Sequence, residues 1–419
     1  MRRRLRRMGV GSDRAYVDTI AGWCLKYISS YPEKSGGLPV KDDGSTNWEA
    51  LYCGMTELLD HSVIRKVVDA SYQGVLVDEY QDCGQSQHAL ICRLADLLRV
   101  RVFGDPLQAV FRFCGEPPDW QGEVEAQFPR LKTLGHPWRW CRTGENTALG
   151  EWLGEARCTL LNGEPLDLRK GQLTYLEGTG TDSHCVQQAC FTTAKLKGSV
   201  AAISKWPEYR LVSQMTAGLY QCVEPIEAKD AAEFLFRLER ASPKERVRQV
   251  LGFVKGISCH HGPAMRNIVA VLNGENCDAA DPQDDVLVAD LLRSVENGGP
   301  PAVLADALDA LVTLKQIKVF RRELAWAVID SLRNVGTPEY SNLTEALRRQ
   351  RNRTSHMGRR LARYSSGSTL LLKGMEFDHA VVFHSAKLTI NDVYVALTRA
   401  SKSLTVVAPS PVIDPEELA

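Results

Sequence analysis

No run of about eighteen consecutive apolar residues occurs in this 419-residue chain, so no segment is expected to span a membrane. The basic start, Met1-Arg-Arg-Arg-Leu-Arg-Arg7, is not followed by the apolar stretch that a secretory signal needs. Cys-x-x-Cys pairs are missing as well. The twelve cysteines lie singly between Cys24 and Cys277, which argues for reduced thiols in a cytoplasmic setting and against a zinc ribbon or an iron–sulfur cluster. Cys259-His260-His261 is the single Cys/His cluster, and three successive side chains cannot easily converge on one ion, so it reads as structural or incidental. Nor is there an excess of charge: Lys+Arg and Asp+Glu are both 51. The total therefore does not announce a nucleic-acid partner, which has to be sought in local patches. The length allows two or three domains with cores of their own.

What is present centres on Gly74-Val-Leu-Val-Asp-Glu-Tyr-Gln-Asp82. Val75-Leu76-Val77 reads as a buried strand that ends in two adjacent carboxylates. In open α/β sheets ligands bind at the carboxyl ends of strands. A Mg²⁺ there needs hard oxygen ligands and an attacking water needs an orienting base, roles that suit Asp78 and Glu79. A surface turn with chance acids would explain an Asp-Glu pair, but not the Tyr80-Gln81-Asp82 that follows.

Asp-Glu-Tyr-Gln-Asp resembles the Walker B motif (motif II) of the UvrD/Rep/PcrA group of superfamily 1 DNA helicases, and further segments extend the resemblance. Val17-Asp-Thr19-Ile-Ala-Gly-Trp23 resembles the backbone-contacting T-I-H-x-F segment (motif Ib), with Ala21 in place of its His; the resemblance implies DNA contact by Thr19, and an ordinary turn into a helix is the alternative. Gly104-Asp-Pro-Leu-Gln108-Ala-Val-Phe111-Arg-Phe113 resembles motif III. It implies that Gln108 senses the γ-phosphate and the attacking water, while Phe111 and Phe113 either stack on DNA bases or pack in the core. Leu134-Gly-His-Pro-Trp-Arg139-Trp140 sits where motif IV belongs, without its Asn and Ser. Arg139 would reach the γ-phosphate as a planar fork, or else be a structural Arg sandwiched by Trp138 and Trp140. Lys373-Gly374-Met-Glu376-Phe-Asp378 matches motif V, with a tight turn at Gly374 and ribose contact by Glu376 implied. Tyr394-Val-Ala-Leu-Thr-Arg399-Ala400 matches motif VI, which makes Arg399 the implied arginine finger.

The resemblance implies an α/β fold of two RecA-like (P-loop NTPase) domains with a helical insertion in the second, the first domain being incomplete at its N-terminus. The expected boundaries are 1–130 for the first domain, 131–225 and 346–419 for the two parts of the second, and 226–345 for the insertion. Residues 1–8 read as the end of a helix. Asn47 to Val68 reads as one or two helices, and only about fifty residues separate Trp23 from Asp78. Gly198–Ile203 is the clearest strand of the second domain and Ser403–Val407 is expected to close its sheet. Helix starts are signalled by Ser242-Pro243-Lys-Glu245, a capping box, and by Asp281-Pro282. Arg348 to Arg363 holds seven arginines and no acid, either a solvated helix face or a phosphate-binding segment.

The phosphate-cradling loop G-x-x-x-x-G-K-[ST] occurs nowhere in the sequence. Two accounts follow. In one the chain is an N-terminally shortened working helicase, which its mid-helix beginning favours. In the other it is a non-catalytic pseudo-helicase that binds DNA or a partner nuclease; the retained Glu79, Gln108 and Arg399 argue against it. The expected function is ATP- and Mg²⁺-dependent translocation on single-stranded or partly duplex DNA with 3′ to 5′ polarity, ATP lying between the two domains. DNA repair, recombination or defence is the implied setting, with a nuclease as a possible partner and no membrane.

Overall fold

The structure, a computed structural model, describes residues 2–11, 13–41, 46–110, 116–131, 133–141, 146–205, 207–225, 227–275, 283–336, 342–357, 361–385 and 387–418, with the backbone alone at 2–4 and 352–357. Phe111, Phe113 and Asp281-Pro282 lie outside these residues. The chain divides into two units, Met1–Leu134 and Gly135–Ala419, each described by itself.

In the first unit, apolar residues at helical spacing decide which faces meet. Cys24, Tyr27 and Ile28 on the helix Ile20–Ser30, Leu51, Met55 and Leu58 on Trp48–Leu58, and Leu90, Ile91 and Leu94 on Gln85–Ala95 form one stripe each and share a core. A further helix, Ser62–Ser71, adds Ile64 and Val68. Beside these helices lie two parallel strands, β1 (Gly74–Val77) and β2 (Arg99–Val102), in register from Gly74↔Arg99 to Val77↔Val102. Val77 enters the core, whereas Leu76 is 72% exposed, so β1 is not the buried strand expected of its apolar run. Successive side chains of a strand point to opposite faces, and the helical core meets the Val77 face.

The second unit holds β3 (Leu166–Asp167), β4 (Thr174–Glu177), β5 (Val200–Ile203), β6 (Gln221–Cys222), β7 (Ser258–Cys259), β8 (Lys318–Val319), β9 (Tyr364–Gly367), β10 (Phe377–Phe383), β11 (Ala400–Ala408) and β12 (Val412–Ile413). Six of them form a parallel sheet in the order β4-β11-β10-β5-β9-β6. Parallel strands of one sheet are joined by crossovers, and helices at Ser183–Ala194, Tyr209–Met215, Thr369–Leu372 and Ile390–Leu397 lie in these connections. Val200 to Ile203 is buried at every position, as a strand covered on both faces requires. β11 does not close the sheet: it runs between β10 and β4, because parallel strands need not pair in chain order.

Between β6 and β9 the described residues form seven helices, from Lys229–Arg240 to Leu343–Met357, around a single apolar cluster running from Ala231 to Leu347. The helix Pro243–Ile257 starts on the fixed φ of Pro243, and Ser242 makes no side-chain cap bond, so the capping box does not form. Within the arginine-rich run, Arg348 and Arg349 pair with Glu345, and Arg363 donates to the carbonyls of Gly198 and Leu196. Among the described residues no helix is long and apolar enough to cross a membrane.

Candidate active site

β1 delivers Asp78 and Glu79 to the surface at its carboxyl end, and both are exposed. The chain then turns through a single 3₁₀ turn, Tyr80–Asp82. To make that turn Glu79 adopts φ 54° and ψ 41°, the left-handed region. For a residue with a Cβ this costs about 1 kcal/mol or more and persists only where the surroundings enforce it. Here the Tyr80 N–H donates to the Phe103 carbonyl at 2.9 Å, and the Phe103 N–H donates to that of Val77 at 2.8 Å. The Tyr80 ring is fully buried, edge-on to Trp120 and Phe128, and its hydroxyl lies 2.8 Å from His88 Nδ1.

Gln81 joins this turn to the next. Its Nε2 donates to Glu79 Oε2 at 2.6 Å, and its Oε1 accepts from the Asp105 backbone N–H at 3.0 Å. Asp105 caps the turn Pro106–Gln108, accepting from the Leu107 N–H at 3.3 Å and from Gln108 Nε2 at 3.2 Å. Glu79 and Gln108 are thus linked within the first unit, and Asp78 adjoins them, its Oδ1 accepting from the Glu79 N–H at 3.1 Å.

A Mg²⁺ fits the chemistry of these donors. The exposed carboxylates are hard oxygen ligands, and Mg²⁺ commonly takes one or two of them while drawing the rest of its shell from water and substrate phosphates. No cluster of three or more His, Cys, Asp or Glu that could hold a metal exists among the described residues. In the Cys259–His261 segment, Cys259 Sγ donates to the Lys318 carbonyl at 3.4 Å, and His261 Nδ1 lies 3.3 Å from Ser258 Oγ. Thr19 is exposed and caps the helix Ile20–Ser30, its Oγ1 accepting from the Gly22 N–H at 2.9 Å.

In the second unit, Arg139, Gly374, Glu376 and Arg399 converge at the amino ends of β10 and β11. The Arg139 fork donates to the Thr398 carbonyl at 2.6 Å and to Glu376 Oε1 at 3.2 Å. It lies over the Trp140 ring at 5.3 Å, and Trp140 Nε1 is anchored on the Ala400 carbonyl at 2.9 Å. Trp138 is 68% exposed and packs its ring edge-on to His136, so one tryptophan backs Arg139. Gly374 has φ 73°, which a side chain would disfavour. Arg399 is only 2% exposed, and its guanidinium donates to the carbonyls of Val395 and Met375 and to Thr398 Oγ1 at 2.8, 3.2 and 2.9 Å.

Sequence reasoning assigned no role to Gln81 or Asp105, although both stand inside quoted motifs. Their contact spans 24 residues, and no spacing rule announces it.

Residues 1–129 match the family of the UvrD/REP helicase N-terminal domain. The Gabija protein GajB of Bacillus cereus (strain VD045) is 35% identical over 66 residues, a segment that is 15% of this chain and 13% of that protein, so the match spans a small part of either. Asp78, Glu79 and Gln108 all lie within the residues that match this family, and the match covers the first 129 of the 419 residues.

Proposed function

We propose that this protein is an ATP-driven helicase or translocase that moves along single-stranded DNA with 3′ to 5′ polarity. The family supports ATP, usually with Mg²⁺, as cofactor and DNA as partner. The observation that carries the reading is Glu79, held in a strained backbone conformation at the end of β1 and tied through Gln81 to Asp105 and Gln108. A scaffold that only binds has no physical need for that strain, whereas strained residues cluster where chemistry is done.

When bound, Mg²⁺·ATP supplies the phosphoanhydride bond whose hydrolysis drives movement. In this reading Asp78 holds the metal, Glu79 orients the attacking water and Gln108 senses the γ-phosphate. Arg139 and Arg399 contribute positive charge toward the phosphates, and Glu376 contacts the ribose. Thr19, Phe111 and Phe113 are the proposed DNA contacts. The architecture proposed is a pair of RecA-like domains with a helical insertion in the second. Repair or defence against invading DNA is the proposed setting, and a nuclease the protein partner that the resemblance implies.

The test is ATP hydrolysis with and without single-stranded DNA, followed by strand displacement on 3′-tailed and 5′-tailed duplexes. DNA-stimulated turnover and displacement of the 3′-tailed substrate are expected. Turnover with displacement only from 5′ tails would contradict the polarity. The sequence has no G-x-x-x-x-G-K-[ST] loop, so the same assay asks whether this chain holds a triphosphate by other means; DNA binding with no turnover would favour the non-catalytic alternative.

A further inference from the structure

Gln81 is 5% exposed and uses both ends of its side-chain amide. Nε2 donates to the Glu79 carboxylate at 2.6 Å while Oε1 accepts the Asp105 N–H at 3.0 Å. Asp105 in turn accepts from Gln108 Nε2 at 3.2 Å. Three hydrogen bonds therefore run from Glu79 to Gln108. The fit around this path is close: a Cβ on Gly104 would stand 2.7 Å from Gln81 Oε1 and 2.6 Å from Trp120 Cη2. Only a residue without a side chain lets the β2 turn approach Gln81 this closely.

The position also demands an amide. A carboxylate could accept from Asp105 but could not donate to Glu79, an ammonium could donate but not accept, and an apolar side chain could do neither. Glu79 stands exposed on a strained turn, so its carboxylate direction has to be set by a neighbour.

We propose that Gln81 is a positioning residue for hydrolysis, holding the Glu79 carboxylate and the Asp105–Gln108 turn in one arrangement so that a change at Gln108 is transmitted to Glu79. This rests on the reading of Glu79 as the residue that orients water. Gln81 touches neither nucleotide nor DNA in this account. Its loss therefore acts on the chemical step and leaves substrate affinity alone.

The experiment compares wild type, Glu79→Gln, Gln81→Glu and Gln81→Met, measuring kcat and KM for ATP with single-stranded DNA present and hydrogen exchange at the Asp105 amide. Both Gln81 variants are expected to lose about 100-fold in kcat, the scale of a misplaced catalytic group, with KM within about twofold. Exchange at Asp105 is expected to rise about tenfold in Gln81→Met, which loses the acceptor, and to stay near wild type in Gln81→Glu, which keeps it. General unfolding would instead raise KM and accelerate exchange throughout the unit. If Glu79→Gln is inactive while both Gln81 variants turn over normally, the inference fails and the site reading stands. Unchanged Asp105 exchange in Gln81→Met would also overturn it. A wild type without turnover, or an active Glu79→Gln, overturns the site reading and this role with it.

Discussion

Arg139 donates to the backbone carbonyl of Thr398 at 2.6 Å, joining two positions 259 residues apart in sequence, and its other terminal nitrogen reaches Glu376 at 3.2 Å. A planar guanidinium can serve a carbonyl and a carboxylate together, and an ammonium cannot hold both in this geometry. Arg139→Lys is therefore expected to lower ATP turnover by at least about 100-fold, on the scale of charge-stabilising arginines in phosphoryl transfer. Stability should fall by only about 1 kcal/mol, the scale of one lost hydrogen bond. Steady-state kinetics beside a melting curve check this; a variant with normal kcat removes Arg139 from the proposed site.

Arg399 behaves differently because it is buried. Its donors serve Val395, Met375 and Thr398, and truncation leaves those buried acceptors without it. Arg399→Ala is expected to cost the second unit about 2–4 kcal/mol as well as turnover. Loss of ATPase in that variant carries meaning only beside its denaturant midpoint. A midpoint equal to wild type would mean that the inward arrangement contributes nothing to stability.

The insertion is anchored to the sheet by another buried arginine. Arg321 meets Glu224 through two hydrogen bonds, at 2.7 and 2.5 Å, and Asp230 at 2.6 Å, with the Arg321 and Glu224 side chains both 8% exposed. Breaking one side of such a pair leaves a buried charge. Arg321→Met is thus expected to destabilise by about 3–5 kcal/mol, and adding Glu224→Gln should recover part of that loss. A double variant as unstable as the sum of the singles would contradict the pairing account.

Two histidines give the folded chain a pH dependence. Burial pushes His384 below its ordinary value of 6.5, and its Nδ1 has no hydrogen-bond partner among the described residues. Burial lowers His88 too, against an opposing pull from Glu123. The unfolded chain takes up these protons near pH 6.5, while the folded chain resists until the lowered values are reached. The stability they contribute is therefore full above about 6.5 and falls as pH drops toward the folded values. The melting temperature should decline between about pH 7 and 5, and His384→Asn should flatten part of the slope. An unchanged slope in that variant would remove His384 from this account.

How far the sequence disclosed these features depended on range. The insertion helix Pro243–Ile257 was visible because Ser242-Pro243 marks its start. The acids, the glutamine and the arginines of the candidate site were visible as motif letters. Their partners were not. Nothing local says that Arg399 faces inward, that Gln81 meets Asp105, or that Thr398 offers its carbonyl to Arg139. The β1 reading failed for a related reason: three successive apolar residues mark a strand without saying which face is covered, and Leu76 lies on the exposed one. Two-residue strands such as β3 and β12 gave no signal because period-two alternation needs more length to register.

The most direct test of the central claim is ATP hydrolysis by this chain in the presence of single-stranded DNA, compared with the Glu79→Gln variant. DNA-stimulated turnover in the wild type and its loss in a Glu79→Gln protein that still folds and binds DNA is the predicted result. Equal turnover in the two proteins would contradict the placement of catalysis at the end of β1, and no turnover in either would contradict the proposal that this chain is an ATPase.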